Sequence, residues 1–207
     1  MKLKPHEQRA MMFEGFKEEP YLDTMGYPTI GIGEKLENIK YSKEQGVPSH
    51  LKDKRRTMDE SIQNLQKHFS NIEQDVSNRF GKEWGDIPDD IKGVVLDMAY
   101  NIGPSGLFDG FKGFIGDVKS KNYKNAALNL KYKDPSMGDN PDNYSDWWNQ
   151  VGGSKTETNV NTGEWGKESR ASNRATANFD ILSNYKDPES EIIDNVVTEQ
   201  GSDAFTY

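Results

Sequence analysis

The chain has 207 residues and a formal charge of −8, which argues against nucleic acid as its main partner because phosphate binding needs a basic surface. It contains no cysteine, so disulfides cannot stabilise the fold, and cysteine usage does not indicate an oxidising or a reducing compartment. No apolar run approaches the roughly 18 residues of a membrane span, and the first residues lack the apolar stretch of a signal peptide.

The first quarter of the chain predicts a short helix, a β-hairpin and then an irregular segment. Pro5 suits the first turn of a helix that ends near Glu14–Phe16. Two segments flank a turn at residues 24–26, and their composition predicts a β-hairpin that runs to Ile32. Residues 34–56 are polar and leave room for one short strand.

Helical spacing dominates the rest of the chain. Thr57-Met58-Asp59-Glu60 is a capping box, and apolar residues then recur every three or four positions. This pattern predicts one amphipathic helix of roughly 23 residues, about 35 Å long, which would bridge two lobes. A second helix from Pro88 to Gly103-Pro104 is apolar on more than one face and should form the buried centre of the larger lobe.

The remaining segments are shorter helices, a long irregular stretch and an acidic tail. Residues 131–169 are rich in polar residues and glycine, which is typical of a functional lid or an insertion. Residues 186–207 hold six acidic residues and one lysine. Helical spacing is predicted for Leu107–Phe111, Phe114–Ser120, Tyr123–Leu130 and residues 170–183.

Three polar side chains near the N-terminus form a candidate catalytic set: Glu14, Asp23 and Thr29. Glu14 lies at a helix C-terminal end, where the negative pole and any apolar neighbours disfavour its charged form, as a general acid requires. Asp23 either caps the following turn through the backbone, or orients a water molecule or stabilises positive charge on a sugar ring, and these roles are compatible. Each residue also has an ordinary interpretation: Glu14 as an exposed glutamate, Asp23 as a turn cap and Thr29 as a β-branched strand residue. With 34 acidic residues in the chain, an aspartate nine positions after a glutamate is expected many times by chance.

The segments Phe-Glu-Gly-Phe at 13–16 and Tyr-Leu-Asp-Thr-Met-Gly-Tyr-Pro-Thr-Ile-Gly-Ile-Gly at 21–33 resemble the active-site signature of the phage-type lysozymes. This family of muramidases includes the T-even phage lysozyme-like endolysins. The resemblance covers about residues 13–183. Weaker matches follow in the expected order at 57–60, 97–103, 123–130, 148–150 and 173–175.

The resemblance implies an α+β, lysozyme-like fold, with a small β-hairpin lobe and a larger helical lobe joined by a long helix. The lysozyme-like domain would span residues 1–185, and the acidic tail would follow it. The β lobe would take about 17–56, and the helical lobe about 57–185 together with the N-terminal helix.

The resemblance also implies roles for the candidate residues. Glu14 would be the general acid that protonates the glycosidic oxygen, Asp23 the second carboxylate, and Thr29 a holder of the attacking water. Two carboxylates with a water between them are the arrangement of an inverting glycosidase.

Further residues follow from the same resemblance. Arg174 would pair with Glu14 and orient it, with Arg170 as the alternative. Tyr100 and Asn129 fall where the family contacts sugar, although a helix aromatic and a surface amide are equally ordinary interpretations. Glu34 departs from the family, which commonly has histidine at this position.

Two further departures concern whole segments. About twenty extra residues lie between Gln150 and Arg170, and the acidic tail has no counterpart in the family. No cofactor is expected. The three histidines are scattered and no cysteine is present, so no metal site is predicted either.

The predicted function is hydrolysis of the β-1,4 bond between N-acetylmuramic acid and N-acetylglucosamine in bacterial peptidoglycan, for lysis by a phage. One alternative is a catalytically weak virion or wall-binding protein with a lysozyme fold. Another is a lytic transglycosylase, which would need neither Asp23 nor Thr29. We expect a monomer in the host cytoplasm that reaches the wall through a separate pore-forming protein, with packaging in the virion as the alternative.

Overall fold

The computed structural model describes residues 2–151 and 174–186. Three strands and seven α-helices lie within these ranges. The strands are β1 (Lys17–Leu22), β2 (Pro28–Gly31) and β3 (Glu34–Lys35). The helices are α1 (Pro5–Glu14), α2 (Met58–Phe80), α3 (Asp89–Gly110), α4 (Lys112–Lys119), α5 (Tyr123–Lys131), α6 (Asp146–Gln150) and α7 (Arg174–Ser183).

The three strands form one antiparallel sheet in the order β1-β2-β3. Thr29 in the central strand pairs with Tyr21 on one side and Lys35 on the other. β1 begins before the predicted hairpin and contains Pro20, which an edge strand tolerates because one of its sides makes no ladder hydrogen bonds. The predicted hairpin is therefore present, with a longer first strand and a short third strand.

The long helix α2 confirms the prediction from the capping box and the apolar spacing. The Thr57 hydroxyl accepts a hydrogen bond from the Glu60 backbone amide at 3.2 Å, and the Glu60 carboxylate accepts one from the Thr57 amide at 2.8 Å. The buried face follows the predicted stripe, with Ser61 in addition. Its apolar members are Leu65, Phe69, Ile72, Val76 and Phe80.

The central helix α3 differs from its predicted length. Helical geometry breaks at Gly103, where φ is 77°, and a second helical portion then carries the chain on through Pro104 to Gly110. A proline is tolerated there because the glycine has already interrupted the helix. The prediction that the helix ends at Gly103-Pro104 is thus wrong, although the regular helix is interrupted there.

The core of the helical part surrounds α3, which contacts α1, α2, α4 and α7. Nearly every residue from Ile91 to Ala99 is buried, including the charged Asp97. α5 packs between α4 and α7. No helix in the described ranges has the length and apolar character needed to cross a membrane.

The segment after α5 is more ordered than predicted. Residues 146–150 form α6, which buries Trp147 and Trp148, so the prediction of an irregular stretch is wrong there. The Trp147 indole donates a hydrogen bond to Asn101 Oδ1 at 2.9 Å, and this bond ties α6 to α3. Residues 131–145 contain two short 3-10 turns, Pro135–Met137 and Pro141–Asn143. The part of the predicted lid from 152 to 169 and the acidic tail from residue 187 lie outside the described residues.

Candidate active site

A cleft of about 780 Å³ lies between the sheet and the helices α2 and α3. Glu14 and Asp23 both line it, together with Tyr100 from α3. The wall formed by α2 is mainly polar, because Leu65 is the one apolar residue among the six that line the cleft from this helix. The five polar ones are Ser61, Asn64, Lys67, His68 and Asn71.

Glu14 is the last residue of α1, and its side chain is 30% exposed. One of its carboxylate oxygens, Oε1, lies 2.9 Å from Nη2 of Arg174. Gly33 approaches the acid closely, since a Cβ atom there would lie 3.4 Å from Glu14 Oε2 and 3.3 Å from the Tyr100 hydroxyl. Its φ of +70° also favours glycine.

Asp23 caps the hairpin turn. Its Oδ1 accepts hydrogen bonds from the backbone amides of Met25 and Tyr27, each at 2.8 Å. The other carboxylate oxygen takes no part in this turn. The carboxylate is thus fixed by the backbone while the residue lines the cleft, so the turn-capping role and a catalytic role are compatible.

Thr29 is buried in the central strand, with 3% of its surface exposed, and is not among the residues that line the cleft. Its hydroxyl donates a hydrogen bond to the Tyr27 carbonyl at 3.0 Å. The oxygen lone pairs remain able to accept a hydrogen bond from water. The structure therefore places Thr29 in the strand beside the capped turn rather than on the open cleft surface.

Tyr100 and Asn129, the two expected sugar contacts, lie in different surroundings. Tyr100 lines the cleft and stacks on Phe69, with ring centroids 4.9 Å apart. Burial and the Glu14 charge raise the pKa of the Tyr100 hydroxyl, so it stays a hydrogen-bond donor. Asn129 is not among the lining residues, and its amide donates a hydrogen bond to Asp117 Oδ2 at 2.6 Å.

Arg174 is buried beneath the acid. Its Nε lies 3.4 Å from Oδ1 of Asp97, while its Nη2 contacts Glu14. Burial alone would lower the pKa of this guanidinium, but the Asp97 and Glu14 carboxylates outweigh burial and raise it. The predicted alternative, Arg170, lies outside the described residues.

Sequence reasoning gave no role to Asp97 or to the polar face of α2. Asp97 is fully buried and accepts a hydrogen bond from Asn178 Nδ2 at 2.8 Å. The sequence signal that could have identified Asp97 is its position as a charged residue within an otherwise apolar helical segment. On α2, the three-to-four spacing of Asn64, Lys67 and Asn71 was a similar signal for a second, polar face.

Glu34, which departs from the family pattern, joins the sheet to α2. Its Oε1 accepts a hydrogen bond from Arg56 at 2.6 Å and its Oε2 one from Asn64 at 2.8 Å. Of the two partners, Asn64 lines the cleft together with Glu34, whereas Arg56 does not. Within the described ranges, no three histidine, aspartate or glutamate side chains group as metal ligands.

Comparison with models of known protein families identifies the family of the chain. A family model described as Phage lysozyme matches residues 11–161. The chain belongs to the phage lysozyme family. Membership of the phage lysozyme family indicates a peptidoglycan hydrolase and, in general terms, a glycoside hydrolase.

The family match confirms the resemblance drawn from the N-terminal signature. The matched range includes Glu14, Asp23, Thr29, Tyr100 and Asn129, and it ends before Arg174. The small antiparallel sheet beside a mainly helical body confirms the predicted α+β, lysozyme-like fold. No curated protein sequence matches the chain. The division into lobes with the predicted boundaries stays a prediction.

Proposed function

We propose that this phage lysozyme cleaves the β-1,4 bond between N-acetylmuramic acid and N-acetylglucosamine by general acid catalysis with a positioned water. The observation that carries the proposal is the cleft that Glu14 and Asp23 both line. The buried Arg174 forms an ion pair with Glu14. Two carboxylates on one cleft are the usual catalytic pair of a glycoside hydrolase.

Glu14 acts as the general acid in this mechanism. It donates its proton to the glycosidic oxygen as the bond to the anomeric carbon breaks, so that the leaving sugar departs as a neutral alcohol. Its position supports this role, because the carboxyl group is partly open to the cleft while one oxygen is fixed by a guanidinium. A fixed acid loses little orientational freedom in the transition state.

Asp23 is the second carboxylate. The two backbone hydrogen bonds fix its carboxylate. In this proposal the carboxylate faces the positive charge that develops on the sugar ring, and it aligns the attacking water. Thr29 is buried in the adjacent strand, where its hydroxyl donates a hydrogen bond to the Tyr27 carbonyl beside the capped turn, and its contact with the water stays a prediction. Attack by water from the opposite face of the ring gives an inverted product.

Tyr100 and the polar face of α2 bind the glycan in this proposal. An aromatic ring and neutral amides suit sugar rings and their N-acetyl groups, which offer both apolar faces and hydrogen-bonding groups. Asn129 lies off the cleft lining and donates a hydrogen bond to Asp117, so its contact with sugar stays a prediction.

The test is digestion of purified peptidoglycan by the parent chain and by Glu14→Gln, with the fragments weighed by mass spectrometry. We expect reducing muramic acid ends from the parent and a rate about 100- to 10,000-fold lower for the variant, because the acid is lost while the shape is kept. The matched control is Glu18→Gln, the same change at an exposed site outside the cleft, which should behave as the parent.

Each other outcome contradicts a specific part of the proposal. Anhydro-sugar ends would indicate a lytic transglycosylase. Full activity of Glu14→Gln would remove Glu14 from the role of acid. A folded parent that binds the wall without cleaving it would favour the structural, wall-binding alternative.

The place of action belongs to the same proposal. The enzyme would act as a monomer that is made in the host cytoplasm and released to the wall by a separate pore-forming protein, as suits a phage lysozyme. Bacteria that produce the chain should then lyse only when a pore-forming protein is also produced. Detection of the chain in purified virions would favour packaging instead.

A further inference from the structure

Arg174 lies between two carboxylates that differ in their access to solvent. Nη2 contacts Glu14 at 2.9 Å, and Nε lies 3.4 Å from Asp97. The Glu14 side chain is 30% exposed, whereas the Asp97 side chain is fully buried and only 7% of the Arg174 side chain is exposed. The cleft therefore reaches one carboxylate of this group and not the other.

Asp97 of α3 is surrounded by polar groups from two other helices, α1 and α7. Asn178 of α7 donates a hydrogen bond to its Oδ2 at 2.8 Å, and the guanidiniums of Arg174 and of Arg9 in α1 favour its charged form. Burial acts in the opposite direction and raises the pKa of Asp97. The nearby Glu14 charge adds to this rise.

A buried guanidinium needs a counter-ion in every state of the enzyme. Removing one partner of a buried ion pair is strongly destabilising because the remaining charge is left uncompensated. A general acid must hold its proton before the reaction, and protonated Glu14 gives Arg174 no negative charge. Asp97 is the remaining carboxylate within reach of Arg174 among the described residues.

We propose that Asp97 is a positioning residue, a permanent counter-ion that fixes Arg174 and allows Glu14 to be held in place while it keeps its proton. The inference rests on the proposed function for its catalytic meaning. Asp97 does not touch substrate, and it acts through Arg174. The other titratable groups that act on this cluster are Arg9, Tyr21 and Tyr100, and Asp23 lines the same cleft as Glu14.

The first test is the pH profile of kcat/KM for Asp97→Asn, which removes the charge and keeps the shape. Glu14 then becomes the sole counter-ion of Arg174, and this favours loss of its proton. We expect the alkaline limb of the profile to move about one pH unit to lower pH, with activity above that limb about tenfold lower. KM should change little, since Asp97 lies away from the cleft surface.

The second test needs no catalysis. The Nε–H proton of Arg174 can be followed by nuclear magnetic resonance in the full chain without substrate. The 3.4 Å contact of Nε with Asp97 Oδ1 is an ion pair in which neither atom makes a hydrogen bond within the described part of the chain. We expect exchange of the Nε–H proton with water to be about tenfold faster in Asp97→Asn, because the buried guanidinium loses a counter-ion and the structure around it opens more readily. Asp75→Asn, which removes an exposed acid from α2, is the matched control and should alter neither measurement.

The two tests separate this inference from the proposed function. A parent that releases reducing ends, with both measurements unchanged in folded Asp97→Asn, overturns the role of Asp97. A parent without activity, with faster exchange in the variant, supports the anchoring by Asp97 and counts against the muramidase.

A second variant covers the case in which Asp97→Asn does not fold. Asn178→Ala removes the hydrogen bond to Asp97 and leaves every charge in place. It should change both measurements in the same direction by a smaller amount. If neither measurement changes, the role of Asp97 is overturned.

Discussion

His6 is a titratable side chain placed in the apolar core. Only 6% of its surface is exposed, and its ring meets Phe69 edge-on with centroids 5.0 Å apart. Its Nε2 has no hydrogen-bond partner among the described residues. Burial lowers the pKa of His6 from its ordinary value of 6.5, although Glu7 opposes the shift. The His6 ring therefore binds a proton less readily in the folded protein than in the unfolded chain.

We expect His6→Leu to reduce the loss of stability in mild acid. Below about pH 6.5 the unfolded parent binds a proton that the folded parent resists, so the free energy of unfolding falls as pH decreases. The variant has no imidazole at this position and so loses no stability through it. The free energy of unfolding of the variant relative to the parent should therefore increase as pH falls from about 7.5 to below about 6. Chemical unfolding across this range measures the difference, and parallel curves would contradict it. His50 and His68 are present in both proteins.

Residues whose role depends on local sequence could be predicted, and those that act through distant contacts could not. The Asp23 cap was predictable because its partners, Met25 and Tyr27, lie within four positions. The contact between Arg174 and Glu14 followed only from the family resemblance, since 160 positions separate them. The burial of Asp97 depends on three helices meeting, which no local pattern encodes.

At the scale of elements, the sheet and α2 meet at Gly31. A Cβ atom there would lie 2.5 Å from the Ser61 hydroxyl, and φ at Gly31 is +64°. Both the close approach and the backbone conformation thus require glycine. This contact holds the cleft wall formed by the sheet against the long helix.

We expect Gly31→Ala to lower the free energy of unfolding by about 2 to 5 kcal/mol, from backbone strain and overpacking together. Chemical unfolding measures the change. The matched control is Gly116→Ala in α4, where no heavy atom lies within 4 Å of the added methyl group. The control should gain about 0.5 to 1 kcal/mol because alanine favours helix. If the Gly31→Ala protein were as stable as its parent, the sheet would be able to move away from Ser61 of α2 without loss of stability, and the expectation would be wrong.

Elements were predictable where one signal dominated. α2 has a capping box and a continuous apolar stripe, and both agree with the structure. β1 is longer than the first strand of the predicted hairpin and includes Pro20, which is tolerated because β1 lies on an edge, and only the sheet order shows this. Likewise, Gly103-Pro104 signals an interruption, but packing decides whether helix resumes after it.

At the scale of the whole molecule, the charge of −8 should slow association with peptidoglycan, which is itself anionic. We expect the initial clearing rate to rise as salt increases from about 10 to about 100 mM, since screening shortens the reach of the repulsion from roughly 30 to 10 Å. Turbidity of a wall suspension measures the rate. Hydrolysis of a short uncharged oligosaccharide should be insensitive to the same change. A steady fall of the clearing rate from the lowest salt upward would contradict the expectation.

The contact between Glu14 and Arg174 joins residues 160 positions apart. A ribosome adds about 5 to 20 residues per second, so the acid emerges roughly 8 to 30 seconds before the arginine that anchors it. During translation the cleft residues of the sheet and of α2 are already present, but the guanidinium beneath Glu14 is not. A nascent or truncated chain that lacks α7 therefore has the acid without its anchor, and synthesis of α7 completes the site.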